Sequence, residues 1–282
     1  MEPIELSAKL NTTAGPVHAC VYFTPEPTEE YNALGLPATH HYFASRGAAL
    51  GAVPAEVVVA TFFNFPPHSV EPVIPDAWSI ASPAAIQTAR MRAAGRVLTR
   101  LADDAMTEAE RTEATEIAGR MVDGVGDAGR PLAAGNRAVP EPDDPWERLW
   151  QRLTIIREWR GDVHIAALVA ASVDPVEALV LHAATGIVPL GALRASRQWG
   201  DEAYAAGAER LRQRGLLTAD GDFTDEGRTF RTEIELTTDR ASLPLVEAAG
   251  VDDTQRLIEL LRPVRTALNA GGAFAAARRT NP

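Results

Sequence analysis

Apolar positions recur at helical spacing through most of the chain, and one short stretch near the C-terminal third interrupts that rhythm with a hairpin signature. Over 145–159, Trp146, Leu149, Trp150, Leu153 and Ile156 fall on one face, which predicts an amphipathic helix. Residues 162–172 and 174–184 read as two further short helices, the second opened by Asp174 as N-cap and Pro175 at the first helical position. Helices over 190–198 and 201–213 follow. Leu216–Phe223 then carries Asp220-Gly221, a dipeptide suited to a tight β-hairpin. Thr224 caps one more helix, with acids in its first turn. Over 252–269, Leu257, Leu260, Leu261, Val264 and Leu268 share a helical face, and Pro263 is expected to kink it.

A longer-range regularity overlies these elements. Pro54, Glu56, Val59 and Trp78 align without a gap on Pro175, Glu177, Val180 and Trp199, at a constant offset (175 − 54 = 199 − 78 = 121). Such self-similarity implies a duplicated unit, here roughly 17–122 and 144–242. Between them, Gly124–Pro131 and the acidic, proline-rich stretch 140–145 cannot continue a helix and read as a joint. The expected fold is mainly α, with tandem duplicated winged-helix or helix-turn-helix units. An N-terminal helical helix-turn-helix-like repeat would occupy 1–135. A C-terminal winged-helix repeat over 136–282 would carry a small β-hairpin wing and a C-terminal helix. Residues 43–85 should superpose on 164–206.

The stretch 193–224, with ERLRQRGLL before the hairpin and FTDEGRTFR after it, resembles the helix-turn-helix of MarR-type regulators. A closer resemblance is to an actinobacterial helix-turn-helix family, through PVHACVYFTPE (16–26), YFASRGAALG (42–51), FFNFPPHSVEPVIPDAW (62–78), RGDVHIAALVAA (160–171) and TTDRASLPL (237–245). That resemblance implies a mostly helical winged-helix fold, and it brings no substrate, cofactor or catalytic residue.

Charge changes what such a fold is expected to do. The net charge of −11 gives no general attraction to nucleic acid or to an anionic membrane. A winged helix reads the major groove with the start of its recognition helix, backed by Arg or Lys on phosphates. Here that helix opens Asp201-Glu202, and the hairpin tip Asp220-Gly221-Asp222 is acidic as well. DNA is therefore a disfavoured partner. Arg90, Arg92, Arg96 and Arg100, in the first half, read as a solvated helix face. The single Cys20 fits a reducing cytoplasm. No leader and no membrane-length apolar run is evident, so a cytoplasmic protein is expected, with a homodimer possible.

A small organic molecule held between the repeats is the expected partner. His164, near Asp162, is the candidate general base, the alternatives being a core histidine and a helix-capping aspartate. His18 and Tyr22, one turn apart, would line the same cavity, joined by His41, Arg46, Asn64 and Asp162. An Arg on an apolar helix needs a carboxylate or an anionic ligand if buried. No phosphate loop, dinucleotide fingerprint, HExxH or cysteine cluster is present, so motifs name no reaction class and leave the cofactor unknown. Paired histidines holding haem or a metal form a weaker alternative, and no metal ligands are assigned.

Overall fold

The computed structural model describes residues 2–275. In chain order its helices are α1 (Pro3–Ala19), α2 (Pro25–Ala33), α3 (His41–Gly47), α4 (Ala55–Phe62), α5 (Pro67–Val70), α6 (Asp76–Ile80), α7 (Pro83–Ala102) and α8 (Glu108–Asp123), then α9 (Pro131–Arg137), α10 (Pro145–Ala170), α11 (Pro175–Ala184), α12 (Leu190–Arg197), α13 (Asp201–Gln213), α14 (Asp225–Ala241), α15 (Leu243–Ala249) and α16 (Val251–Ala270). Three hydrophobic clusters organise them. The largest gathers α1, α7, α8, most of α10, α15 and α16 around Trp146, Trp150 and Trp159. A second lies under α3–α6, and a third under the end of α10 and α11–α14. No single helix among the described residues is long and apolar enough to cross a membrane.

The mainly helical expectation holds, but the wing does not. Among the described residues there is no strand, only one antiparallel bridge between Leu217 and Phe223. Local chemistry explains why the turn stays so short. Thr224 accepts the Gly227 N–H at 2.9 Å to cap α14, and its hydroxyl donates to the Gly215 carbonyl at 2.7 Å. Both arms are thus drawn into helices within a few residues of the bridge. Gly227 also presses on the turn, since a Cβ there would lie 1.9 Å from the Leu216 carbonyl oxygen. Asp220-Gly221 makes a turn, with Gly221 at φ +90°, and the pairing beyond it stops after the Thr218 N–H to Asp222 O and Thr224 N–H to Leu216 O bonds, too short for a strand.

Other expectations shift in register. The helices expected over 145–159 and 162–172 are one helix, because Gly161 costs only about 1 kcal/mol in a helix interior and packing on both sides outweighs it. Helix α16 runs through Pro263. The expected joint holds α9, whose Leu132 and Ala133 are buried and whose Asn136 carbonyl accepts from Gln151 at 2.7 Å. The 121-residue offset pairs α4 with α11, Pro54 being an N-cap and Pro175 the first helical residue, but the two tryptophans differ in their settings. Trp78 sits on α6 and donates to Val53 O, whereas Trp199 lies in the α12–α13 turn and donates to Asn64 O.

Candidate functional site

One face of α10 carries a polar stripe directed inward. Gln151, Thr154, Glu158 and Asp162 follow at spacings of three and four and are all buried. Where this stripe meets α1, α3 and α7, two hydrogen-bonded chains form. In the first, His18 Nδ1 lies 3.0 Å from Thr154 Oγ1 and its Nε2 lies 3.1 Å from Tyr22 Oη, which also accepts from Arg90 Nη2 at 3.0 Å. In the second, Arg46 donates from Nη1 to Tyr42 Oη at 3.0 Å and from Nη2 to both oxygens of Glu158 at 3.3 Å. The Tyr22 and Tyr42 rings join the chains at 5.7 Å between centroids.

Aromatic surfaces enclose the charges. The Arg46 guanidinium sits 4.4 Å from the Phe62 ring centroid, and that of Arg90 sits 5.1 Å from Trp150. Trp150 stacks on His18 with the planes 8° apart. Burial alone would raise the Glu158 carboxyl, yet Arg157, Arg46 and Arg90 hold it well below the usual carboxylate range. Burial and the same arginines push His18 well down, so its ring is neutral. Burial raises the Tyr42 phenol, but Arg46 and Arg197 outweigh that and lower it. The site is an electropositive cluster of side chains around one carboxylate. Cys20, nearby on the chain, is pushed up to about 12 by burial and stays a thiol.

Of the residues expected from sequence, His18, Tyr22 and Arg46 meet here. Asp162 lies one turn beyond Glu158 on the same stripe and accepts the Ala133 N–H at 3.0 Å, anchoring α9. His41 bonds the Leu36 carbonyl at 3.0 Å and packs edge-on against Tyr31. Asn64 contributes its backbone carbonyl, which Trp199 holds at 3.1 Å. His164 turns the other way. Two residues beyond Asp162 is about 200° around the helix, and there His164 faces α14, with Nδ1 3.0 Å from Thr238 Oγ1. Its surroundings are Arg160, Glu235 and Arg231, not Arg46.

Arg90, expected on a solvated helix face, lies in the interior. It is fully buried, while on the same helix the exposed Arg92 reaches Glu30, Arg96 reaches Glu29 and Glu30, and Arg100 reaches the buried Glu26. The pattern was present in the sequence: 92, 96 and 100 repeat every four residues, whereas Arg90 falls in the apolar row of Ile86, Ala93 and Val97. Glu158, Thr154 and Tyr42 were also missed as site residues, and the 151–154–158–162 polar row was their signal. Among the described residues, no group of three His, Cys, Asp or Glu side chains could hold a metal ion.

The two faces of α10 oppose one another in their pH dependence. Burial lowers His164 from 6.5 to about 4, so its contribution to stability is present above pH 6.5 and is lost as pH falls toward 4. Burial raises Asp162 from 3.8 to about 6, so its contribution is present below pH 3.8 and lost as pH rises through 6. Replacing His164 with Asn removes the first. Relative to wild type, the variant should gain on the order of 2 kcal/mol in going from pH 6.5 to 4.5. Urea midpoints at the two pH values test this; a pH-independent difference would show that the His164 proton equilibrium is not coupled to folding.

Helices α12 and α13 cover the stretch expected from sequence to carry the helix-turn-helix. Asp201, Glu202 and Glu209 are exposed on α13, while Arg210 is tied to Asp174 and Glu177, and Arg214 to Glu177 and the Ala171 carbonyl. The turn itself is held by the N-terminal half. Ser69 Oγ donates to Gln198 Oε1 at 2.9 Å, and Arg197 lies 4.7 Å from the Phe65 ring centroid. Gln198 adopts φ +58° there. Phe65 in turn packs 5.4 Å from Tyr42.

The chain belongs to a helix-turn-helix family, whose sequence profile matches residues 7–275. No curated protein and no solved structure matches it.

Proposed function

We propose that this helix-turn-helix family protein binds a small organic molecule at the junction of α1, α3, α7 and α10, and that its reading of DNA is lost or reduced. The observation that carries this reading is the chain of buried His18, Arg90, Arg46 and Glu158 linked through the half-buried Tyr22 and Tyr42, more polar and more positively charged than packing requires. A recognition helix with carboxylates at its exposed start, and with arginines committed to internal acids, supports the second half of the proposal. His164, turned to α14, is left out of the site, and no reaction is assigned.

A ligand-responsive DNA-binding regulator is the second reading, favoured by one contact path. Tyr42 touches Phe65, Phe65 carries Arg197, and Gln198 and Trp199 are bonded to Ser69 and Asn64. A change at the cluster would be felt at the turn that sets the angle of α13. Two measurements separate the readings. Native mass spectrometry of the purified protein should find a mass above that of the chain, released on denaturation. Gel shifts at physiological ionic strength should show only weak binding that falls steeply with salt. A nanomolar, sequence-specific DNA site would overturn the first reading in favour of the second.

A further inference from the structure

The guanidinium of Arg90 is the least satisfied charged group in this cluster. It is fully buried, Nη2 bonds Tyr22, and neither Nε nor Nη1 has a hydrogen-bond partner. Arg46, 8% exposed, likewise leaves Nε without one. Buried donors are nearly always bonded, and a buried charge is normally paired. The acids at hand do not balance the site: three guanidiniums, of Arg46, Arg90 and Arg157, stand around the single carboxylate of Glu158, with His18 held neutral. A cation–π contact with Trp150 offsets part of the Arg90 charge but bonds none of its N–H groups. Solvent reaches the cluster beside Tyr22 and Arg157, which are partly exposed.

We propose that Arg90 and Arg46 form a carboxylate-binding site, in which a small organic acid places its anionic group on their free N–H donors and its apolar body against the partly exposed rings of Tyr22 and Tyr42. The inference rests on the ligand-binding reading above and supplies its ligand class. An oxyanion accepts several N–H bonds at once, which matches orphan donors on two side chains. The aromatic walls select an organic acid over inorganic phosphate, which has no apolar part to bury. The lowered Tyr42 phenol agrees, since the same excess of positive charge draws on the protein's own weak acid.

The test is the melting temperature of the full chain titrated with acetate, benzoate and inorganic phosphate, with ionic strength held constant by sodium chloride. Benzoate should raise the wild-type melting temperature by roughly 5 °C at saturating concentration, and acetate by less. Arg90→Met should melt at or above the wild-type temperature without anion, because an apolar side chain of similar length replaces an unpaired charge, and it should lose the benzoate response. Arg92→Gln, at the surface of α7, should keep the full response and controls for general charge effects. A wild-type response to phosphate but not to the carboxylates overturns the proposal. So does an Arg90→Met protein that melts well below wild type while still responding to benzoate, which would make Arg90 structural. If native mass spectrometry finds a neutral molecule that Arg90→Met retains, the carboxylate inference falls and the ligand-binding reading stands. If it finds no bound molecule and no anion stabilises the protein, both fall.

Discussion

Replacing Glu158 with Gln should lower the melting temperature by roughly 10 °C, more than any surface substitution on the same helix. Glu158 is 1% exposed and bonds Arg46 through both oxygens at 3.3 Å and Arg157 at 2.5 Å. Removing its charge leaves Arg46 buried with no counter-ion, a loss that typically costs about 3–5 kcal/mol. In a chain of this size each kcal/mol moves the melting temperature by roughly 2–4 °C. Most of that cost is the stranded partner rather than the worth of the pair, so the double variant Arg46→Met/Glu158→Leu should recover most of the loss. Calorimetry of the single and double variants reads the difference. A Glu158→Gln protein that melts within about 1 °C of wild type would mean that water or another acid already serves Arg46. Acid should act in the same direction. The folded Glu158 carboxyl lies below its unfolded value, so its contribution is present above pH 4.5 and is lost as pH falls.

Helical periodicity made most of the fold legible, because a 3.6-residue stripe needs only local information. Asp174, Thr224 and the Trp146–Ile156 face are all where the pattern puts them. The wing was not legible, since Asp220-Gly221 specifies a turn while strand pairing depends on how soon the flanking helices begin. Nor was the continuity of α10 through Gly161, where burial on both sides outweighs a small propensity cost. His18, Tyr22 and Arg46 could be singled out as polar groups on apolar helices. Their partners could not, because Thr154, Glu158 and Arg90 lie between 68 and 136 residues away in sequence and only tertiary packing joins them. His164 and Asp162 looked like a pair from their proximity in the chain, but two residues on a helix point to opposite sides.

Trp150→Ala should be as damaging as the loss of Glu158, and by a different route. The side chain is fully buried in the largest core, and truncating a buried Trp costs about 3–5 kcal/mol in lost transfer energy and cavity. Two further losses are specific to this position. Its indole N–H donates to the His18 carbonyl at 3.2 Å, so that oxygen is left unbonded in the core. Its ring also lies between His18 and Arg90, the former stacked 5.5 Å away and the latter 5.1 Å from the centroid. Without the ring, both groups gain freedom, and α1 loses its register on α10. Trp150→Phe restores most of the volume and an aromatic face but not the donor, and should cost about 1–2 kcal/mol. Urea unfolding of the two variants gives the comparison, and amide exchange in α1 gives the mechanism: protection around residues 14–18 should fall in the Ala variant and survive in the Phe variant. Equal losses in both would assign the whole effect to the hydrogen bond and none to the stacked ring.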